Sequence, residues 1–379
     1  MKILGITKLY ILSLALPLFY DCADGKKEEA KPQIFKEAGL PSQINHKKVF
    51  KMPLYKIYPD TLTKEQRDSA KISEAYKSVY SCVDTIAASG KPVAKIYPDT
   101  IAQGNTAFIK IKSKQPLNKP YFVYDYGSGS KKFPIFKTND SIYTGLIATT
   151  PNTAAGEKMI ILGDEEKKLS GAVKLWVKKA VFGYDHISTT TSVSNLTASA
   201  DENHIIGMAL KTESDTAYFG TPPFQIPVDG RYKTAYGKKR IENGFCNENY
   251  FHKGIDISAP EGTKILPVQS GKVLVAQQFN LNGGTVIIDH GFGMTSAYLH
   301  MSKINVKEGQ KVGLKDIIGE VGSTGHSTGP HLHFGLYING VGVNPVGQWL
   351  NPTSLKKVKK AASAKAVKIL KNTARAIKK

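Results

Sequence analysis

Five residues able to hold a metal ion or move protons lie between positions 252 and 333: His252 and Asp256, then His300, then His331 and His333. Six of the chain's nine histidines fall in that interval, with His290 and His326 completing the six. Zinc takes neutral imidazole or carboxylate ligands, and a catalytic zinc keeps one position open for water. Five convergent residues exceed the needs of a structural site. They fit three ligands plus two groups that move protons, the equipment of a hydrolytic metal centre.

Such residues need a scaffold that turns them toward one point. Residues 331–338, His-Leu-His-Phe-Gly-Leu-Tyr-Ile, read as a β-strand with a buried apolar face. Side chains alternate along a strand, so His331 and His333 share a face and Leu332 and Phe334 take the other. One of the two histidines can bind the metal while its neighbour stands beside it. His252 and Asp256 share a parity too, but four residues of straight strand would part them by roughly 13 Å, too far for ligands of one ion. The chain must bend between them, and Gly254 is expected to supply the bend through dihedrals that other residues avoid. Gly322-Ser-Thr-Gly-His-Ser-Thr-Gly-Pro330 reads as a tight loop that feeds the strand and fixes the rim of the site. His326 is expected on that rim, and His290 in a turn or a supporting position. His46, His186 and His204 have no partner nearby in sequence and read as ordinary surface or core histidines.

The wider pattern carries a resemblance. In order, the chain has His-Lys-Gly-Ile-Asp-Ile at 252–257, Ala-Pro-Glu-Gly-Thr at 259–263 and Ser-Gly-Lys-Val at 270–273. Ala-Tyr-Leu-His follows at 297–300, Gly-Gln-Lys-Val-Gly at 309–313, Gly-Ser-Thr-Gly-His-Ser-Thr-Gly-Pro-His-Leu-His-Phe at 322–334 and Asn-Pro at 344–345. With these motifs, residues 237–352, about a third of the chain, resemble the lysostaphin/LytM-type zinc metallopeptidases of the duplicated hybrid motif fold. Those are cell-wall endopeptidases that cut peptide bonds in peptidoglycan. Gly335 departs from the pattern, which usually has an acidic residue there; the position is not a ligand.

The resemblance implies that His252, Asp256 and His333 bind one Zn2+ per chain. It implies that His331 is the general base toward the attacking water, and that His300 helps activate that water or stabilises the transition state. The residues alone do not separate the roles of His300 and His331. The implied substrate is the stem peptides of peptidoglycan, with the scissile bond, glycine bridge or direct cross-link, left open. Some members of the family have lost ligands and activate other hydrolases, whereas all five positions are filled here. The alternative function is a non-catalytic cell-wall module that activates or recruits a peptidoglycan amidase. A secreted protease aimed at foreign cells is a weaker third reading.

The rest of the chain gives the chemistry a location. Lys2 and Lys8 precede an apolar run from Leu9 to Tyr20, twelve residues, where a bilayer span takes about 20. The pattern is that of a secretory signal peptide over residues 1–22, which implies export to the periplasm or cell envelope. Cys22 stands where a lipoprotein signal has its lipidated cysteine, although Phe-Tyr-Asp before it is a poor lipobox and an ordinary cleaved signal is the main rival. Three cysteines are too few for a disulfide scaffold. Cys82 and Cys246 remain as a pair that an oxidising compartment would allow. Alternatively, Cys246, Asn247 or Asn249, just ahead of His252, could occupy the open metal position and hold the enzyme latent.

The expected fold class is mainly β. An antiparallel β catalytic domain over 236–352 holds the metal in a groove on one sheet. Short alternating runs such as Ala107–Lys112, Tyr121–Tyr124, Met159–Leu162 and Val173–Val177 predict an immunoglobulin-like β-sandwich over 91–182. Tyr121, Tyr124 and Tyr126 are expected to pack rather than to contact glycan. Residues 23–90 read as a tether and a helical segment, the helix following the candidate N-cap Thr63. Residues 183–235 read as a linker with a helix near Asp201–Thr212. The repeated Lys-Ile-Tyr-Pro-Asp-Thr at 56–61 and 95–100 reads as two similar strand entries. The net charge of +21 is uneven: residues 355–379 hold ten basic residues and no acid. Its apolar positions fall on one helical face, so 353–379 is expected to be a basic amphipathic helix that meets an anionic membrane or cell-wall polymer. The export signal argues against nucleic acid as a partner.

Overall fold

The period-two runs form strands in the computed structural model, which describes residues 91–351 except 220–221 and 248–249. The expected signal segment at 1–22, the tether and helical segment at 23–90 and the basic tail at 353–379 lie outside the described residues, as do Cys22, Cys82 and the first copy of the repeat. Among the described residues no helix is long and apolar enough to cross a membrane.

Nine strands come first: β1 (Val93–Tyr97), β2 (Thr100–Ala102), β3 (Thr106–Lys112), β4 (Tyr121–Asp125), β5 (Ser130–Pro134), β6 (Phe136–Lys137), β7 (Ile142–Ala148), β8 (Gly156–Gly163) and β9 (Ser170–Lys178). They make a four-stranded sheet in the order β1-β3-β7-β6 and a five-stranded sheet in the order β2-β9-β8-β4-β5. Both sheets feed one core: Ile109 and Ile111 of β3 pack in the same cluster as Phe122, Ile160, Leu175 and Val177. The second copy of the repeat spans the corner from β1 into β2, where the chain changes sheets. Tyr124 is buried in this core, and Tyr121 lies under the Lys132 ammonium, 3.8 Å from its ring centre.

Next come β10 (Tyr184–Ile187), α1 (Thr191–Ser194), α2 (Ala200–Leu210), β11 (Arg231–Thr234), β12 (Lys239–Glu242) and β13 (Phe245–Cys246). They are followed by β14 (Ile255–Ser258), β15 (Lys264–Ile265), β16 (Gly271–Gln278), β17 (Gly284–Gly291), β18 (Met294–Ile304), β19 (Lys311–Val312), β20 (Gly319–Val321), β21 (His331–Ile338) and β22 (Val341–Val343). The main path of a ten-stranded sheet runs β11-β14-β21-β18-β17-β16-β19, and every pairing along it is antiparallel. The helix read near 201–212 is α2, capped by Ser199, whose Oγ accepts from the Glu202 N–H at 3.0 Å. Residues read as linker also pair into sheets: β10 runs parallel to β12, and β11 lies beside β14.

The ten-stranded sheet shares its core with the strands before it. Leu146 and Ala148 of β7 belong to the same buried cluster as Ile255, Ile257, Leu332 and Phe334. Trp349 fastens the two parts. It is fully buried, its ring centre lies 5.8 Å from Phe108 and 5.3 Å from Phe224, and its indole N–H donates to Thr106 Oγ1 at 3.3 Å. Truncating a buried aromatic of this size costs about 3–5 kcal/mol. Trp349→Ala is therefore expected to lower stability by that amount in urea unfolding. Strands on both sides of the shared core should still lose structure in one transition, as tryptophan-independent probes such as far-UV circular dichroism would register.

Candidate metal centre

The site is built on the β14–β21 ladder, where Asp256 stands opposite His333 and Ser258 opposite His331. Alternation does the sorting: Ile255, Ile257, Leu332 and Phe334 enter the core, and Asp256, His331 and His333 take the other face. His252 is held just before β14, its N–H donating to Lys238 O and its carbonyl accepting from the Gly237 N–H, each at 2.8 Å. The chain then bends back at Gly254. The reason differs from the one the residue type implies: Gly254 does not adopt a left-handed φ. Its missing side chain is what matters, because a Cβ there would run into Phe334 O and come within 2.8 Å of His333 Nε2.

His300 reaches the site through a bulge. Gly284 pairs with Met301 and Val286 with Tyr298, so Leu299 and His300 together face the single residue Thr285. The extra residue lets Tyr298 and Met301 both enter the core. His300 itself has φ +65°, a conformation that non-glycine residues hold only when their surroundings fix it.

Three donor atoms converge. His252 Nε2 lies 3.1 Å from Asp256 Oδ1 and 3.0 Å from His333 Nδ1, and His333 Nδ1 lies 3.0 Å from Asp256 Oδ1. Among the described residues these three form the group able to hold a metal ion. With zinc bonds of about 2.0–2.1 Å, tetrahedral ligand atoms stand about 3.3–3.4 Å apart, so the triangle is close to one face of such a site. Protonation agrees with this. His252 Nδ1 lies 3.0 Å from Ala235 O; donating there, it leaves the Nε2 lone pair for the cluster. A proton or a metal ion between them relieves the repulsion of lone pairs that face one another at this distance.

The electrostatics follow from burial. Burial alone would push the Asp256 carboxyl up, but the His252 and His333 imidazoles beside it hold it well below the usual carboxylate range. Burial pushes His333 down to about 4, a shift only partly offset by Asp256. Burial, with His331 and His333 adding to it, pushes His300 down to about 3. Both imidazoles are thus neutral at pH 7, the form a metal ligand or a proton acceptor requires.

His331 and His300 flank the triangle. Their rings are 4.9 Å apart, and His331 Nε2 is 3.8 Å from Asp256 Oδ1. His331 Nδ1 lies 2.7 Å from Gly329 O and His300 Nδ1 lies 2.8 Å from Thr324 O. Each N–H therefore has a backbone acceptor, and each Nε2 is left as a base. Beside them opens a cleft of about 310 Å³ lined by Ser188, Thr189, Thr190, Val193, Ser323, Ser327, Thr328 and Gly329.

Other sequence candidates fall elsewhere. His290 is fully buried in β17, with Nδ1 2.8 Å from Ser270 O and Nε2 2.7 Å from Ser296 Oγ. It supports the sheet and is not part of the donor group. His186 is on β10 and His204 is exposed on α2. His326 is on the rim loop, where its Nε2 lies 2.9 Å from Glu242 Oε1. Cys246 is half-buried on β13, and among the described residues it is not in the metal-holding group. At Gly335, a Cβ would lie 2.7 Å from the Tyr337 ring, so the neighbouring aromatic fills the space of a side chain there.

Sequence reasoning missed Glu242, which also accepts from Thr189 Oγ1 at 2.7 Å and so ties β12 to both His326 and the segment after β10. It also missed Glu202, described below. No motif marks either residue.

Three converging donors with two further imidazoles beside them on one sheet face make a candidate metal centre. Comparison with known families gives a match: residues 250–345 fit the model of Peptidase family M23. Over 113 residues it is 42% identical to the DD-carboxypeptidase/endopeptidase Mpg of Neisseria meningitidis, covering 30% of this chain and 26% of that protein. Over 93 residues it is 43% identical to the peptidoglycan DD-endopeptidase ShyA of Vibrio cholerae, covering 24% of this chain and 22% of that protein. The solved catalytic domain of the antimicrobial peptidase lysostaphin from Staphylococcus simulans is 33% identical, with 31% of this chain and 90% of that chain covered and a TM-score of 0.28. The chain thus spans about a quarter of the length of the curated relatives it matches.

Proposed function

We propose that this protein is a zinc-dependent endopeptidase that hydrolyses peptide cross-links between the stem peptides of peptidoglycan in the cell envelope. The observation that carries the proposal is the donor triangle of His252, Asp256 and His333, with sides of 3.0–3.1 Å and a tautomer at His252 that turns its lone pair inward. These three residues would hold the ion. When bound, zinc supplies Lewis acidity, polarising the scissile carbonyl and making water nucleophilic near neutral pH.

The remaining steps belong to the chain. His331, its Nδ1–H tied to Gly329 O, presents Nε2 at the edge of the triangle, where it takes the proton of the attacking water and passes it to the leaving amine. His300, tied to Thr324 O, faces the same point from the β18 bulge, where its Nε2 lone pair accepts a hydrogen bond from the attacking water and helps activate it. The hydroxyl-lined cleft beside His331 offers donors and acceptors to the peptide backbone of the substrate. In this reading residues 91–182 are an immunoglobulin-like sandwich that positions the catalytic domain at 236–352, and a signal at 1–22 exports the chain.

Purified full-length protein incubated with muropeptides, and analysed by mass spectrometry, tests the proposal and names the scissile bond. Cleavage is expected to stop on chelation and return with zinc. Cleavage that persists after complete metal removal would overturn it, and absence of cleavage together with stimulation of an amidase would favour the non-catalytic alternative.

A further inference from the structure

We infer that Glu202 is a positioning residue for the catalytic face: through the loop at 281–283 it seats both the His300 bulge and the loop that presents His331. The inference rests on the function proposed above, and Glu202 lies outside the segment that matches the peptidase family, residues 250–345.

Glu202 is in the first turn of α2. An acid there ordinarily faces water and interacts with the helix dipole. Asp201 beside it is exposed, whereas Glu202 is only 2% exposed. Three N–H groups converge on its carboxylate: Leu281 N–H on Oε2 at 3.2 Å, Asn282 N–H on Oε1 at 2.9 Å and the Asn282 side-chain amide on Oε1. Bonds to an ionised acceptor are the stronger kind, and a buried carboxylate deprived of them is costly.

The bonds continue on the far side of that loop. Leu281 O accepts from the His326 N–H at 2.8 Å, and Asn282 O accepts from the His300 N–H at 3.1 Å. One peptide unit, Leu281 C=O with Asn282 N–H, therefore joins Glu202 directly to the rim loop. The next carbonyl joins it to the strained bulge. The two loops are pressed together: Gly283 and Gly325 have φ +65° and +69°, and a Cβ on Gly325 would lie 2.5 Å from Gly283 N. Thr324 closes the circuit, its carbonyl receiving His300 Nδ1–H and its Oγ1 receiving the Gly284 N–H at 2.9 Å. Helix α2 is itself anchored, since Ala209 packs with Phe279, Ile287 and Tyr337 on the face that bears the site.

The test uses the full chain with Glu202→Gln, which replaces one acceptor oxygen by a donor facing donors. Asn282→Asp, isosteric but repelled by Glu202, is the second variant should the first fold poorly. Amide hydrogen exchange needs no substrate. The His300 and His326 amides should exchange at least tenfold faster, while those of β8 and β9 keep their wild-type rates. On muropeptides, kcat should fall at least tenfold with KM and metal content unchanged, and the same substitution should have a clearly smaller effect in a His300→Ala background. Uniformly faster exchange over all strands, unchanged exchange at His300 and His326, or an undiminished effect in the His300→Ala background would overturn the inference. A wild-type protein that does not cleave muropeptides defeats the proposed function and leaves the exchange result to stand by itself.

Discussion

His333→Ala is expected to lose its metal and to cleave muropeptides about 10³-fold more slowly or worse, since a catalytic ion contributes several kcal/mol to the barrier. His333 Nδ1 is 3.0 Å from both other donors, so its removal opens two sides of the triangle and leaves only the His252–Asp256 edge of 3.1 Å. The strand should survive, because Leu332 and Phe334 anchor it from the opposite face. Metal per chain by mass spectrometry and cleavage rates on the same sample check the result. A full complement of metal with unimpaired cleavage would remove His333 from the ligand set.

His331→Ala should behave differently. Its Nε2 is 3.8 Å from Asp256 Oδ1, outside the triangle, and its Nδ1–H is committed to Gly329 O. The variant is expected to keep one metal per chain and to lose 10²- to 10⁴-fold in kcat, roughly the range of general acid–base catalysis. KM should change little, because the cleft walls at Ser188–Thr190 remain. If metal is lost to the same extent as in His333→Ala, His331 is a ligand and the base must be sought elsewhere.

The contrast between these histidines was legible in sequence only up to a point. Strand parity put His331 and His333 on one face, and that depends on nothing but alternation. The need for a bend between His252 and Asp256 followed from reach alone. Its cause did not, because glycine serves equally well by a rare φ and by an absent Cβ, and only the packing of Gly254 against Phe334 O separates the two. The bulge at His300 was invisible, since Ala-Tyr-Leu-His reads as unbroken strand and the shift exists only in the pairing with β17. Glu202 was hidden for a related reason: in a helical first turn the same residue type serves an exposed dipole contact or a buried clamp, and the difference lies in loop 281–282, some 80 residues away. The strand character of β1 to β9 was legible as alternation, whereas the core shared with the ten-stranded sheet through Leu146 and Ala148 was not.

The outermost strand of that sheet has a consequence for how the chain avoids itself. β11 reads Arg-Tyr-Lys-Thr, and its ladder with β14 shifts between Tyr232 and Thr234. Cations and an irregular register are what terminate a sheet against edge-to-edge aggregation. Because β11 takes the edge, the strand carrying Asp256 has a neighbour on both sides and presents no open row of backbone groups to a second chain. A fragment trimmed to residues 236–351 would discard that guard, and the metal-bearing strand would become the exposed rim along which copies could polymerise.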